Sequence, residues 1–120
     1  MAIRTNGDAG YVGIPPLNIV APTFSSNNYT AVLADKDKFV ELNNSTTAGT
    51  FTIPANSSVP FPIGIQLNVV QTGTGQITLT PDTGVTINSS SGLKLRTQWS
   101  EATLVKRGTN LWVAAGDLSA

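Results

Sequence analysis

An alternation of apolar and polar residues runs through the chain from Tyr29 onward and limits its fold more than any other feature. Successive side chains of a strand point to opposite faces, so a period of two is typical of a strand with one buried face. The clearest stretch places its apolar residues at alternate positions: Ile63, Ile65, Leu67 and Val69. Similar stretches recur about every 10 to 12 residues without an intervening helical pattern. The sequence therefore predicts an all-β fold, a small antiparallel sandwich or barrel.

Residues that favour turns separate these stretches. Gly73-Thr74-Gly75 predicts a tight hairpin turn, because glycine adopts positive φ easily. A last hairpin is predicted to pair residues 101–107 with residues 111–115. Apolar residues occur on both faces of this last hairpin, which indicates strands that are central in the sheet or covered by a neighbouring subunit.

Residues 1–28 lack the alternation and have a different composition. Gly and Pro interrupt the segment at short intervals, at Gly7, Gly10, Gly13, Pro15, Pro16 and Pro22. They break regular structure, whereas the apolar residues between them need burial. We therefore predict an extended arm that docks on its own domain or on a partner such as a capsid, followed by a β module over residues 29–120. The candidate contact residues of the arm are Ile3, Arg4, Tyr11, Val12, Ile14, Pro15, Pro16, Leu17, Ile19 and Val20.

The chain contains neither His nor Cys, which limits the chemistry it can perform. Ser-His-Asp and Cys-His catalysis are excluded, and the commonest zinc ligands are missing. Glycoside hydrolysis needs only two paired carboxylates, but most acidic residues here fall in predicted turns or beside Lys. Asp35-Lys36-Asp37 resembles part of a calcium loop yet lacks the remaining oxygen ligands. We expect no enzymatic activity, no metal site and no cofactor.

The charge and hydropathy patterns narrow the range of partners. Seven basic and seven acidic residues give a formal net charge of zero. Nucleic acid is therefore not an expected partner, since phosphate binding needs clustered Lys and Arg. The only basic concentration, interpreted as a solvated face or an intersubunit salt bridge, comprises Lys94, Arg96, Lys106 and Arg107. The apolar runs are too short to span a membrane, and the first residues lack the pattern of a secretory signal.

The two tryptophans leave alternatives open. An exposed Trp can stack on a sugar ring, whereas a buried Trp belongs to a core or an interface with its N–H hydrogen-bonded. Trp99 and Trp112 both lie in apolar strand patterns, and Leu104 lies in the last hairpin. We interpret the tryptophans as core or interface residues, and all three residues are candidates for a subunit interface.

A set of short matches between Tyr29 and Leu118 adds a resemblance to a known family. The matching residues are Tyr29-Thr30, Leu33, Phe39-Val40-Glu41-Leu42-Asn43-Asn44, Ile53-Pro54-Ala55-Asn56-Ser57-Ser58, Phe61-Pro62-Ile63-Gly64, Gln71, Gly73, Gly75-Gln76-Ile77, Gly84-Val85-Thr86-Ile87-Asn88, Leu95-Arg96, Gln98-Trp99-Ser100, Ala102-Thr103-Leu104-Val105-Lys106-Arg107, Trp112 and Gly116-Asp117-Leu118. In order and spacing they resemble a small β module of virion proteins in tailed bacteriophages, found in tail fibres, head fibres and capsid decoration proteins. The resemblance covers about three quarters of the chain.

This resemblance implies attachment to a virion and, commonly, a homotrimer, and it carries over no catalytic or metal residue. In many relatives the module ends a long fibre, whereas here it follows the short arm and no heptad stretch is present. We therefore expect a capsid decoration (cement) protein, made in the host cytoplasm, that binds the major capsid protein on the outside of the shell and stabilises it. The alternative is a head- or tail-fibre module that binds a host glycan through loops 43–49, 54–62 and 88–92.

Overall fold

Two β-sheets make up the part of the chain that the computed structural model describes, residues 18–120. The strands are β1 (Ile19–Val20), β2 (Asn28–Thr30), β3 (Phe39–Leu42), β4 (Gly49–Ile53), β5 (Gln66–Gln71), β6 (Ile77–Pro81), β7 (Thr86–Asn88), β8 (Lys94–Leu95), β9 (Glu101–Gly108), β10 (Leu111–Gly116) and β11 (Leu118–Ser119). A 3₁₀ helix, Leu33–Asp35, follows β2. The six-stranded sheet has the order β1-β3-β5-β9-β10-β7, and the five-stranded sheet has the order β11-β8-β6-β4-β2. The predicted all-β sandwich is confirmed.

Strands β1 to β6 alternate between the two sheets along the chain. Each strand therefore pairs in parallel with the strand two places further on, in the series β1–β3–β5 and β2–β4–β6. This part of the chain winds as a short coil, in the manner of a β-helix. Antiparallel pairing occurs in the series β5–β9–β10 and β6–β8–β11, so both sheets are mixed rather than antiparallel throughout. The alternation in the sequence could not distinguish mixed sheets from antiparallel sheets, because its period is the same in parallel and antiparallel strands.

The winding decides which predicted hairpins form. The hairpin predicted at Gly73-Thr74-Gly75 is wrong, because the strands it connects, β5 and β6, belong to different sheets. Neither Gly73 nor Gly75 has a positive φ. The last predicted hairpin is confirmed, since β9 and β10 pair directly from Ala102 opposite Gly116 to Gly108 opposite Leu111.

Successive turns of the coil are stacked in direct backbone contact at one end of the sandwich. The Gly75 N–H donates to Ser45 O at 2.9 Å, and a Cβ at Gly75 would collide with the backbone carbonyl of Thr47. Side chains extend the stack, because Asn44 Nδ2 donates to Asn27 Oδ1 of the preceding turn at 3.1 Å. Close approach of two backbones, not unusual φ, is therefore the reason for glycine here.

Inward-facing side chains of both sheets fill one core. Phe51 and Leu104 are fully buried, and Phe61 packs edge-to-face on Trp112 with ring centroids 5.7 Å apart. Leu104 and Trp112 have 0% and 1% of their surface exposed, so they belong to the core of the chain itself and not to an exposed interface. Of the three interface candidates, only Trp99 lies at the surface.

The chain joins the domain before Tyr29, the predicted start of the β module. Ile19 lies opposite Phe39 in a parallel ladder, so β1 is an edge strand of the six-stranded sheet. Val20, the next residue, packs against the core. Ile19 and Val20 thus dock on their own domain, one of the two alternatives for the arm. The other arm candidates, which lie outside the described residues, are Ile3, Arg4, Tyr11, Val12, Ile14, Pro15, Pro16 and Leu17.

Lys106 is buried, contrary to its interpretation as part of a solvated basic face. It points inward in the same row of β9 as Ala102 and Leu104. Its Nζ donates to Asn56 Oδ1 at 2.6 Å and to Phe61 O at 2.8 Å, and burial lowers the pKa of the ammonium group. The alternation of residues 102, 104 and 106 already indicated this orientation.

We expect Gly75→Ala to destabilise the domain by about 1–3 kcal/mol, because the added Cβ overlaps backbone atoms of Thr47 and forces the turns apart. Gly108→Ala is the matched control, since its Cβ would approach Leu111 Cδ1, the end of a flexible side chain, at 3.0 Å. Urea denaturation followed by circular dichroism measures both variants. Equal losses of stability would contradict the proposed reason for glycine at position 75.

Candidate binding site

The turn that joins β8 to β9 presents Trp99 at the surface, and we call residues 96–100 the Trp99 turn. The backbone N–H of Trp99 donates to the carbonyl oxygen of Gln71, at the end of β5, at 2.6 Å. Ser100 closes the turn, because its N–H donates to Thr97 O at 3.1 Å and its Oγ accepts from the Thr97 N–H at 3.0 Å. The backbone of the turn is therefore fixed both internally and against the six-stranded sheet.

Trp99 combines exposure with a strained backbone. Its φ is +73°, in the left-handed region that bulky residues adopt rarely, and 65% of its surface is exposed. This conformation costs about 1–2 kcal/mol for an L-residue. The alternation put Trp99 on the same face as Leu95, which is buried, but strand β8 ends at Leu95 and the positive φ turns the indole outward. Backbone strain of this kind is typical of functional positions.

Asp117 connects the Trp99 turn to the last strands. Arg96 donates two hydrogen bonds to the Asp117 carboxylate, at 2.8 Å and 3.0 Å, and Ser100 Oγ donates a third at 2.7 Å. The hydrogen bond from Arg96, followed by that from Ser100, holds the pKa of Asp117 below its ordinary value of 3.8. The carboxylate in turn raises the pKa of Arg96. The charge of Asp117 at neutral pH therefore helps to orient the turn.

A groove of about 450 Å³ lies at the end of the sandwich where the turns are stacked, and we call it the corner groove. Its lining residues are Ala21, Pro22, Thr23, Phe24, Glu41, Asn43, Asn44, Ser45 and Thr72. Thr72 joins the groove to the Trp99 turn, because its carbonyl accepts from Gln98 Nε2 at 3.0 Å. Among the described residues that line the groove, one is acidic, none is basic, and several carry amide or hydroxyl groups.

The solvent side of the six-stranded sheet, which we call the outer face, is a second candidate surface. One register row contains Ile19, Phe39, Asn68, Thr103 and Ala115, and the next contains Gln66, Val105, Val113 and Asn88. Leu111 and Val113 are 40% and 39% exposed. Strands β9 and β10 are thus central in their sheet, as one interpretation of the last hairpin predicted, and their second apolar face is open within residues 18–120.

Residues 18–120 contain neither a metal-binding cluster of side chains nor a membrane-spanning helix. That part of the chain holds no group of three or more acidic side chains arranged to bind a metal ion. No helix in the same range is long and apolar enough to cross a bilayer. The chain matches no protein-family model and no curated protein. Within residues 18–120, the Trp99 turn, the corner groove and the outer face are therefore the features from which a function can be inferred.

We expect Trp99→Gly to be more stable than Trp99→Ala by about 0.5–1 kcal/mol. The left-handed conformation costs Ala about 1–2 kcal/mol, whereas the larger entropy loss of Gly on folding offsets about 0.5–1 kcal/mol of this difference. Ile63→Gly and Ile63→Ala form the matched control pair, because Ile63 is 64% exposed and has no positive φ. Urea denaturation should give the opposite order for that pair. The same order at both positions would exclude strain at Trp99.

We expect acid to loosen the Trp99 turn through Asp117. A carboxylate with a lowered pKa in the folded state stabilises the fold above its unfolded pKa, and this contribution is lost as the pH falls below about 3.8. Acrylamide quenching of Trp99 fluorescence should therefore change in that range in the wild type. Asp117→Asn should show the loosened turn at every pH. Identical profiles for the two proteins would mean that Asp117 does not control the turn.

Proposed function

We propose that the protein is a bacteriophage capsid decoration (cement) protein that binds the major capsid protein on the outside of the shell as a homotrimer. Its place would be the capsid surface of the virion, with neither nucleic acid nor membrane as partner and no catalytic role. The virion context comes from the resemblance of residues 29–118 to the β module of tailed-bacteriophage virion proteins. The structural observation that supports attachment to another protein is the open outer face, whose centre contains the apolar residues Val105, Leu111 and Val113.

The outer face has the chemistry of a protein–protein contact. Its centre, around Val105 and Val113, carries no charge, and charged residues are depleted from the centres of interfaces. Covering the exposed surface of Leu111 and Val113 would contribute about 1 kcal/mol each, since roughly two fifths of each residue remains to be buried. A sheet with a covered outer face also explains why the last hairpin is apolar on both sides.

The charges on β9 suit a cyclic trimer. The interfaces of a trimer are heterologous, so two different patches of the same chain must complement each other. Glu101 is exposed at one end of β9, and Arg107 is exposed near the other. In a head-to-tail arrangement, Glu101 of one copy would approach Arg107 of the next and set the register of the contact.

The edge strand β1 links the outer face to the predicted arm. The Phe39 N–H donates to Asn18 O at 2.9 Å, so the chain enters the domain at the edge of the six-stranded sheet. Ile19, the first residue of β1, is itself exposed in a row of the outer face. The arm and the outer face would therefore contact the same capsid subunit or two adjacent capsid subunits.

Stabilisation of the shell would follow from mass action. A ligand that binds only the assembled state stabilises that state by RT ln(1 + [L]/Kd), which is about 2.7 kcal/mol at a hundredfold excess over Kd. Many copies bound to one shell add their contributions. No chemical step is required, in agreement with a sequence that contains no His and no Cys.

We expect Val113→Glu to weaken binding to shells at least tenfold or to dissociate the trimer, because it buries an unpaired charge in the centre of the outer face. Thr83→Glu adds the same charge at an exposed position in the turn before β7 and should change neither property. Sedimentation velocity measures the oligomer, and co-sedimentation with purified shells that lack the protein measures binding.

The controls separate the parts of this proposal. If wild-type protein does not bind shells, the decoration role is wrong. If Val113→Glu binds and assembles like wild type, the outer face is not the contact surface. Deletion of residues 1–17 leaves β1 intact, so an unchanged affinity of that variant would exclude the arm as a capsid clamp.

A second candidate function is that of a fibre module that binds a host glycan. The observation that favours it is the exposed Trp99, which lies next to a groove lined by Asn43, Asn44 and Ser45 of the predicted glycan-binding loop 43–49. In this alternative, host binding would use the corner groove and Trp99, whereas attachment to a capsid would use the outer face. The location of the protein on an intact particle, head or tail, distinguishes them.

A further inference from the structure

We infer that the Trp99 turn and the corner groove together form a binding site for a neutral oligosaccharide. The inference goes beyond attachment to a capsid and does not depend on it, because attachment is assigned to the outer face. It would hold equally for a decoration protein or a fibre module.

The backbone places the Trp99 turn directly beside the groove. The backbone N–H of Trp99 donates to Gln71 O at 2.6 Å, and Thr72, which follows Gln71, lines the groove. Gln98 Nε2 donates to Thr72 O at 3.0 Å, so the turn and the groove share this residue. Trp99 itself does not line the groove. A ligand that occupies the groove and also contacts the indole must therefore extend past Thr72, which requires more than one sugar unit.

The indole and the groove offer the two kinds of contact that a sugar chain needs. An exposed indole is a large, flat apolar surface on which the C–H face of a pyranose ring can stack. In the groove, Asn44 Nδ2 and Asn43 Oδ1 already form hydrogen bonds within the domain. The groove supplies the amide nitrogen of Asn43, the amide oxygen of Asn44, hydroxyls from Ser45 and Thr72, and the carboxylate of Glu41. These groups donate to and accept from sugar hydroxyls. Its volume of about 450 Å³ lies within the usual range of small-molecule sites.

The charge of the groove selects a neutral ligand. Glu41 is the acidic lining residue, and no Lys or Arg lines the groove within the described part of the chain. The basic side chain of the Trp99 turn, Arg96, donates two hydrogen bonds to Asp117. An anionic saccharide would meet the Glu41 carboxylate without a compensating cation. Neutral hexoses and N-acetylhexosamines carry no such penalty.

The polarity of this end argues against a protein partner. Interface centres are apolar and depleted of charge, which describes the outer face but not a groove lined by Glu41, Asn43 and Asn44. An exposed aromatic side chain near a groove that combines apolar residues such as Phe24 with amide, hydroxyl and carboxylate groups is instead typical of a saccharide site. A protein contact through Trp99 is therefore the competing outcome that the experiment must detect.

Rigidity of the turn lowers the cost of binding. Ser100 and Gln71 fix the backbone on either side of the indole through the hydrogen bonds described above. A fixed backbone leaves only the side-chain torsions of Trp99 to be ordered when the ligand arrives, so less conformational entropy is lost. The domain retains Trp99 at a φ of +73°, where Gly would fold without strain. Backbone strain at an exposed aromatic residue is thus consistent with a functional role for the indole.

The test uses the full-length protein and defined sugars. The probes are neutral tetrasaccharides of glucose, galactose, mannose and N-acetylglucosamine, together with their monosaccharides. A tetrasaccharide of galacturonic acid serves as the anionic probe. Calorimetry gives the affinity, and tryptophan emission reports contact with Trp99. We expect at least one neutral tetrasaccharide to bind and to shift the tryptophan emission. Its monosaccharide and the anionic tetrasaccharide should bind at least tenfold more weakly.

Variants assign the binding to this site. Trp99→Ala should weaken binding at least tenfold, and Glu41→Gln should weaken it severalfold while preserving the size of the side chain. Ile63→Ala is the matched control, because Ile63 is exposed to the same extent as Trp99 and lies outside the lining of the groove, so its binding should equal that of wild type. Circular dichroism confirms that each variant is folded.

Three results would overturn the inference. The first is that none of the neutral tetrasaccharides binds at millimolar concentration. The second is that Trp99→Ala binds sugar as tightly as wild type. The third is that Trp99→Ala loses trimer formation or shell binding in the absence of any sugar binding, which would assign Trp99 to a protein interface. A failure of wild-type protein to bind shells, with sugar binding intact, would reject only the decoration role.

Discussion

Backbone contact between successive turns at one end of the sandwich is the constraint on which the rest of the structure depends. Gly75 lies against the carbonyl of Thr47, and Asn44 bonds to Asn27 of the turn before it. Turns stacked this closely require the strands that lead into them to run in parallel, one above the other. The coil of β1 to β6 follows from this arrangement, and so does the alternation of the chain between two sheets.

The same stack creates the polar end of the molecule. The ends of β3 and β5 and the segment after β1 meet there, so their amide, hydroxyl and carboxylate groups line one groove. Strand β9 runs antiparallel to β5 and therefore begins at this end, which brings the Trp99 turn against Gln71 and Thr72. Asp117 then fixes the turn from the opposite side through Arg96 and Ser100. The exposed indole and the strained backbone of Trp99 thus follow from the parallel winding of β1 to β6.

The two candidate surfaces differ in chemistry because they differ in origin. The outer face belongs to regular strands, where alternation places one apolar set in the core and a second set, including Val105 and Val113, outside. The corner groove and the Trp99 turn belong to connections, whose polar residues are needed to satisfy backbone groups. A sheet face with an uncharged, apolar centre is suited to another protein, whereas a groove with several amide and hydroxyl groups near an exposed indole is suited to a sugar chain.

The sequence by itself determined the all-β class, inward rows such as Leu67 and Val69, and the lack of His and Cys chemistry, because these follow from alternation and residue type alone. It also placed Trp112 and Leu104 in apolar patterns that the structure resolves as core. It did not determine the orientation of Ile63 and Trp99, which lie at the surface, and Lys106, interpreted as a surface residue, is buried. Tertiary structure decided the parallel winding, since parallel and antiparallel strands share one period. It likewise decided the exposure of Trp99, because the bond from its N–H to Gln71 O joins residues far apart in sequence. Local pattern cannot predict a φ that a distant strand imposes.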